Sequence, residues 1–300
     1  SSLTGYLAVI LATACWGMSG IFIKFIIAGS HVSPVALAFW RDLATFLVLF
    51  GGLALLRPAE LRVQRGDIPW LVAVGAGVGI FHLFWNVGIV LNGAAVTTVQ
   101  QAAMPAIVAV VARFFWGDPL TRSKILAIIL TFTGTVLVSG LGALGQSNWT
   151  LAGLLVGFGL PVSYAGWNLL GKKMRQQYKA LTVLTYAFGA GALVLLPFQA
   201  FTTQPWPVTT TVWLWFAGLI GVSTLTGFAA YTFGLGRLPA SVASILAMAE
   251  IVFVVIFAYV FLGEWLAPGQ VIGAGLVVLG VLLLIKRKKK IPISLRLQTR

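Results

Sequence analysis

Glu250 carries the strongest chemical signal in the chain. It is about the eleventh residue of an apolar run over 240–262. A bare carboxylate at the middle of a bilayer is costly, so it must be neutral, paired or facing water. Such a group can bind a proton or meet a cation such as an amino acid's ammonium. The alternative is a protonated side chain hydrogen-bonded to a neighbouring helix. Met248 stands just before it. His82, Trp85 and Asn86 have offsets of three and four, which place them on one helix face. Inside a membrane their polar atoms should face protein or water. Trp16, Ser19, Tyr164, Trp167 and Asn168 add further aromatic and amide groups. Thr97, Thr98, Gln100 and Gln101 would lie just outside the midplane. They could meet a solute, or bond between helices at about 0.6–2 kcal/mol per contact. Metal chemistry is not expected: there is no H-E-x-x-H, and the histidines are His31 and His82 alone. No cofactor is expected either.

These residues need a membrane around them, and the composition supplies the reason. Apolar residues make up 59% of the 300-residue chain and charged residues 9%. Soluble domains carry about 25% charged residues, so this chain cannot coat a water-facing surface. The mean hydropathy is +1.00. A soluble enzyme, a disordered chain, a coiled coil and a disulfide scaffold are all poor readings of it. Cys15 has no second cysteine to pair with. An apolar run of about 20 residues spans a bilayer. Ten such runs follow one another: 3–27, 34–56, 69–91, 94–115, 122–141, 150–171, 181–201, 212–235, 240–262 and 267–285, here called spans 1 to 10. The first is too long for a cleaved leader and lacks a basic start. Proline occupies the first turn of several spans, at Pro34, Pro69, Pro239 and Pro268, where a missing N–H costs nothing. Pro105 and Pro161 lie inside spans 4 and 6, where proline bends a helix and frees a carbonyl.

The net charge of +14 is distributed by topology. Basic residues fill the connectors after spans 2, 4, 6 and 8 and the C-terminal tail, while the connectors after spans 3, 5, 7 and 9 hold none. The positive-inside rule then puts both termini in the cytoplasm. That pattern fits a membrane edge, with the Lys286–Lys290 run as an anchor facing anionic lipid. It does not call for nucleic acid. Lys24 and Arg41 stand apart, within the first hairpin toward its outer end, with Asp42 beside Arg41. They read as an ion pair between spans 1 and 2, or as a charged lip on a solute pathway. Glycines four apart, at Gly75/Gly79, Gly153/Gly157 and Gly269/Gly273, read as close helix packing.

The chain also repeats itself at an offset of about 146 residues. Trp116-Gly117-Asp118 falls on Leu262-Gly263-Glu264, and Met104-Pro105 on Glu250-Ile251. Gly134 falls on Gly280, Gly75 on Gly221 and Gly88 on Gly234. His82, Trp85 and Asn86 fall on Phe228, Tyr231 and Thr232, so an aromatic recurs at one level in each half. Residues 1–146 and 147–290 are then two five-span units, with 291–300 a tail. An odd number of spans per unit makes the repeat inverted in topology, a mark of secondary carriers with a midplane site.

The residues of this repeat resemble a known family. Gly117-Asp118 and Gly263-Glu264 look like the LGE signature of the EamA repeat, and Met104-Pro105 and Glu250-Ile251 each look like half of its E-P motif. Cys15-Trp16-Gly17 with Lys24, and Arg41, also resemble the first two helices of that family, part of the drug/metabolite transporter superfamily. Met104 stands where the motif has an acid, and Ile251 where it has proline. The resemblance covers all ten spans and implies an all-α 5+5 exporter of small metabolites, often amino acids, working by alternating access. The aromatic middle is most similar to the YddG-type amino-acid exporters.

The expectation is therefore a multi-pass carrier of a bacterial-type inner membrane, a monomer with a homodimer as the alternative. It would export amino acids, hydrophobic or aromatic ones favoured, and exchange protons or run downhill. Its solute contacts would be Trp16, Ser19, His82, Trp85, Asn86, Thr98, Gln101, Tyr164, Trp167, Asn168, Phe228, Tyr231, Met248 and Glu250. Spans 1, 3, 4, 6, 8 and 9 would line the cavity. A multidrug or cationic-compound carrier is the nearest rival. An intramembrane enzyme lacks a nucleophile motif, a channel lacks a filter loop, and an ATP-driven pump lacks a P-loop.

Overall fold

The structure, a computed structural model, describes residues 2–92, 94–140, 150–202, 209–263, 265 and 267–285. Glu264, the Lys286–Lys290 run and the 291–300 tail, all singled out above, lie outside the described residues. Among the described residues the secondary structure is helical, with no strand. Ten helices are long and apolar enough to cross a membrane: Leu3–Ser30, Pro34–Leu56, Arg65–Ile89, Val96–Trp116, Arg122–Ser139, Leu151–Met174, Ala180–Phe201, Thr210–Leu235, Ala240–Phe261 and Pro268–Ile285. Each overlaps the corresponding expected span.

Local chemistry sets several of their ends. Ser33 Oγ accepts the Ala36 N–H at 3.1 Å just before Pro34, which begins span 2. Thr150 caps span 6 in the same way, accepting from Gly153 at 3.0 Å. Spans 4 and 9 both stop at a glycine in the left-handed region, Gly117 at φ 64° and Gly263 at φ 65°. Only glycine adopts that cap without strain, which gives the recurring glycine of the two motifs a mechanical reason.

Four spans depart from plain α-helix in their interior, besides the 3-10 turns that end span 7 and begin span 3. Span 1 is interrupted at Met18, between helices Ser2–Gly17 and Ser19–Ser30. Span 4 divides into Ala94–Gln101 and Met104–Trp116, and span 9 into Ala240–Ala247 and Glu250–Leu262. Span 8 winds as a π-helix over Leu219–Thr226. The proline expectation holds for Pro105, which sits in the first turn after the span 4 break. Pro161 lies within the continuous helix Leu151–Met174, so span 6 is not divided as span 4 is. Leu160 and Pro161 are buried there, so packing holds the helix through the lost hydrogen bond.

Helix approach depends on small residues. A Cβ at Gly75 would stand 2.5 Å from the Ala187 carbonyl oxygen, and one at Gly79 2.7 Å from that of Gly191. Spans 3 and 7 therefore touch backbone to backbone. Spans 5 and 10 do the same through Gly134 and Gly273, each of whose added Cβ would lie 2.6 Å from the other's oxygen. Gly269 has nothing within 4 Å, so the expected Gly269/Gly273 pair reduces to Gly273 alone. Spans 3 and 6, and spans 1 and 8, form the other close pairs. Large apolar side chains such as Leu55, Phe114, Phe115 and Phe201 point outward, as a lipid-facing surface requires.

Candidate functional site

The centre of the bundle is aromatic. Trp16 of span 1 packs on Tyr231 and Phe228 of span 8, with ring centroids 5.0 and 5.2 Å apart. Trp167 of span 6 stacks on Phe228 at 5.0 Å and on Tyr164 at 5.0 Å. Phe81 of span 3 closes the group 4.7 Å from Tyr164. Trp16, Tyr164, Trp167, Phe228 and Tyr231 are each 5% exposed or less. These five expected wall residues are thus brought together, but packed ring on ring as a plug. Tyr231 Oη donates to Asn168 Oδ1, and Asn168 Nδ2 donates to the Tyr164 carbonyl at 3.2 Å. Asn168 is therefore engaged between spans 6 and 8. Met248 is buried in the same core, and so is Met104, whose sulfur lies 4.0 Å from Asn168 Nδ2.

Beside the plug lies a small cavity of about 40 Å³, lined by Ser19, Ile23, Pro34, Leu37, Ala38, Arg41, His82, Trp85, Asn86 and Leu219. It has room for water but not for an amino acid, since small-molecule sites run to about 300–1,000 Å³. Four expected contact residues, Ser19, His82, Trp85 and Asn86, meet there. The lining comes from spans 1, 2, 3 and 8; spans 4, 6 and 9 supply none of it. Thr98 and Gln101 belong to the first half-helix of span 4, with Gln101 buried at its break, and neither lines the cavity.

The charged groups of span 2 reach further than the sequence suggested. Arg41 Nε donates to Thr224 Oγ1 at 2.9 Å, and its guanidinium carbon stands 5.7 Å from the Phe228 ring centre. Thr224 belongs to the π-helix and donates in turn to the Leu219 carbonyl at 2.8 Å. Asp42 is fully buried and pairs with His82, whose Nδ1 lies 3.0 and 3.1 Å from its two oxygens. So Asp42 reaches span 3 and Arg41 reaches span 8, contacts beyond the expected pairing of spans 1 and 2. Glu250 opens the second half-helix of span 9. A helix N-terminus favours negative charge, and the Arg41 guanidinium is near enough for the two charges to interact. Arg41, Asp42 and Thr224 are functional candidates that sequence reasoning left out of the site. Their signal was charge inside an apolar run and hydroxyls in a glycine-bracketed stretch.

The basic connectors gather on one face. Lys179 Nζ contacts Glu60 Oε1 at 2.9 Å, and Thr182 Oγ1 donates to the Glu60 carbonyl at 2.9 Å. Tyr178 Oη donates to Asp67 at 2.6 Å. Asp118 takes Lys124 on one oxygen and the Ser241 hydroxyl on the other, and Lys172 Nζ donates to the Leu235 and Leu238 carbonyls. The Lys179 hydrogen bond holds the Glu60 carboxyl below its ordinary range, and the Asp67 hydrogen bond raises the Tyr178 phenol. Most of these links join the first half of the chain to the second. These links hold the basic face together beside a cavity of about 280 Å³ lined by Trp116, Asp118, Lys172 and Pro239, while the small cavity lies among residues of the opposite half of the bundle. No group of three or more metal-ligating side chains occurs among the described residues.

Ten apolar helices around a charged and aromatic centre define a polytopic, all-helical membrane protein. The chain belongs to the EamA-like transporter family, whose model matches residues 3–140 and again residues 151–286. An uncharacterized transporter of Archaeoglobus fulgidus is 26% identical over 94% of this chain and 99% of that protein. A protein of Streptantibioticus cattleyicolor described as a probable terminal-alkyne amino-acid exporter is 26% identical over 93% of each chain. A crystal structure with a TM-score of 0.81 and 18% identity covers 94% of this chain and 96% of its own. It shares the fold.

Proposed function

We propose that the protein is a secondary carrier that exports amino acids, those with apolar or aromatic side chains favoured, by alternating access. The observation that carries this reading is the placement of Arg41 and Glu250. The Arg41 guanidinium stands 5.7 Å from the Phe228 ring of the aromatic centre, within electrostatic reach of Glu250 at the span 9 break. One suits a carboxylate and the other an ammonium, so together they match a zwitterion. The aromatic rings would separate to receive the side chain. One relative's description as an amino-acid exporter supports the substrate class.

The two five-span units are read as an inverted repeat. In support, the family model matches once in each half. The helix pairs also exchange when the halves are exchanged: spans 3 and 6 answer spans 8 and 1, and spans 4 and 6 answer spans 9 and 1. The breaks at Met104 and Glu250 correspond as well. The cross-linked basic face, the cytoplasmic one in this reading, and the small opposite cavity would be one state of such a cycle. The protein would sit in the inner membrane of a bacterial-type cell as a monomer, with both termini in the cytoplasm.

The test is counterflow in proteoliposomes. Liposomes loaded with each unlabelled amino acid in turn should accumulate labelled leucine or phenylalanine saturably. Flux that never saturates would indicate a pore, and chemical turnover of the solute would indicate an enzyme; either result overturns the proposal.

A further inference from the structure

We infer that the buried Asp42–His82 pair is a proton-binding site, and that the proton and the amino group of the transported solute exclude each other at His82 Nε2. The inference rests on the carrier reading above.

His82 is 3% exposed and Asp42 not at all. The contact of Nδ1 with the carboxylate makes Nδ1 the N–H donor, so in the neutral ring Nε2 carries the lone pair. That Nε2 is buried without a hydrogen-bond partner among the described residues. Orphaned acceptors inside a membrane protein are costly, and the ring that bears this one lines the small cavity. Two arrivals would relieve it: a proton, or a donor group of a solute entering the widened cavity.

The charged and titratable groups around the ring are few. Packed against span 3 are span 2 with Arg41 and Asp42, span 6 with Tyr164, Lys172 and Lys173, span 7 with Tyr186, and the first half of span 4, which has no titratable side chain. Lys172, Lys173 and Tyr186 are occupied toward the basic face, on carbonyls and on the Trp70 ring. His82 also meets the Phe228 ring edge-on at 6.1 Å, and Glu250 of span 9 is within electrostatic reach of Arg41. Arg41 and Asp42 offset each other's charge beside the ring.

The two ligands then compete. Neutral Nε2 accepts one N–H of the ammonium whose charge Glu250 balances; protonated Nε2 carries an N–H of its own and repels it. The proton is taken from cavity water, and it returns to water when the amino group arrives. Mutually exclusive binding at one site makes the carrier an exchanger, one proton moving opposite to one solute. Asp42 acts as a positioning residue, because it fixes which nitrogen faces the solute.

The experiment uses the full chain in proteoliposomes with leucine as probe and an entrapped pH dye. Half-saturation for leucine should rise about tenfold per pH unit on the acid limb, the linkage slope for one competing proton. The dye should report about one proton moving against each leucine. His82→Gln should abolish both the slope and the dye signal, and Asp42→Asn should weaken them. Saturable leucine exchange with no slope and no proton movement would overturn this inference and leave the carrier reading standing. Absence of saturable exchange for every amino acid would overturn the carrier reading itself, and this inference with it. Should His82→Gln fail to fold, ¹⁵N NMR of His31→Gln protein reads the His82 ring alone. A Nδ1–H tautomer at pH 8 that becomes doubly protonated at pH 5 supports the site, and an unchanged ring overturns it.

Discussion

Arg41→Gln separates the carboxylate of a solute from the rest of it. Arg41 lines the cavity and spends its Nε on Thr224, which leaves the fork of the guanidinium for a ligand. A hydrogen bond to a charged partner contributes about 1.5–3 kcal/mol. At 1.4 kcal/mol per factor of ten, losing it weakens binding by about 10–150-fold. The fold should survive, because Thr224 keeps its own bond to the Leu219 carbonyl at 2.8 Å. The assay compares half-saturation for leucine with the inhibition constant of isoamylamine, the same side chain without the carboxylate. The leucine value should rise by that factor while the amine value stays within about twofold. Equal losses for both ligands, or no loss for either, would refute the placement of the carboxylate at Arg41.

Glu250→Gln should remove nearly all transport without lowering the thermal midpoint by more than a few degrees, read by counterflow and by thermal unfolding in detergent; full transport with a normal pH profile would contradict it. Gly75→Leu should destabilise the bundle by about 1–3 kcal/mol through overpacking, because even its Cβ would meet the Ala187 carbonyl at 2.5 Å; an unchanged unfolding midpoint would refute the close crossing of spans 3 and 7. On the basic face, the Lys179 hydrogen bond depresses the Glu60 carboxyl. A depressed folded value means that this contact favours closure above the ordinary carboxylate range and loses its contribution as pH falls through the depressed value. Hydrogen exchange of residues 58–67, corrected for intrinsic rates, should therefore rise at acid pH, and Glu60→Gln should lose that step.

The ten spans were legible because length and hydropathy alone decide whether a helix can cross a bilayer, and basic connectors count the crossings. The aromatic centre was legible too: Trp16, Tyr164, Trp167, Phe228 and Tyr231 meet as a group. Their mutual burial was not, since spacing gives the face of a residue and not what stands opposite. The breaks show the limit of local rules. Pro105 announced the one in span 4, but span 9 breaks at the matching place with no proline, and Pro161 leaves span 6 continuous. Nothing local marks the π-helix of span 8, where Thr224 bonds five residues back and meets Arg41. Asp42 looked like a partner for a neighbouring cation. Its true partner, His82, is forty residues on and comes into reach only through packing.

The central claim is that transport requires the tied basic face to open. Lys179 and Glu60 meet there at 2.9 Å, and Cys15 is buried, so cysteines placed at 60 and 179 can be joined by a short bifunctional thiol reagent. Counterflow measured before linking, after linking and after reduction should fall to background and then recover. Undiminished counterflow across a fully linked face would contradict the account.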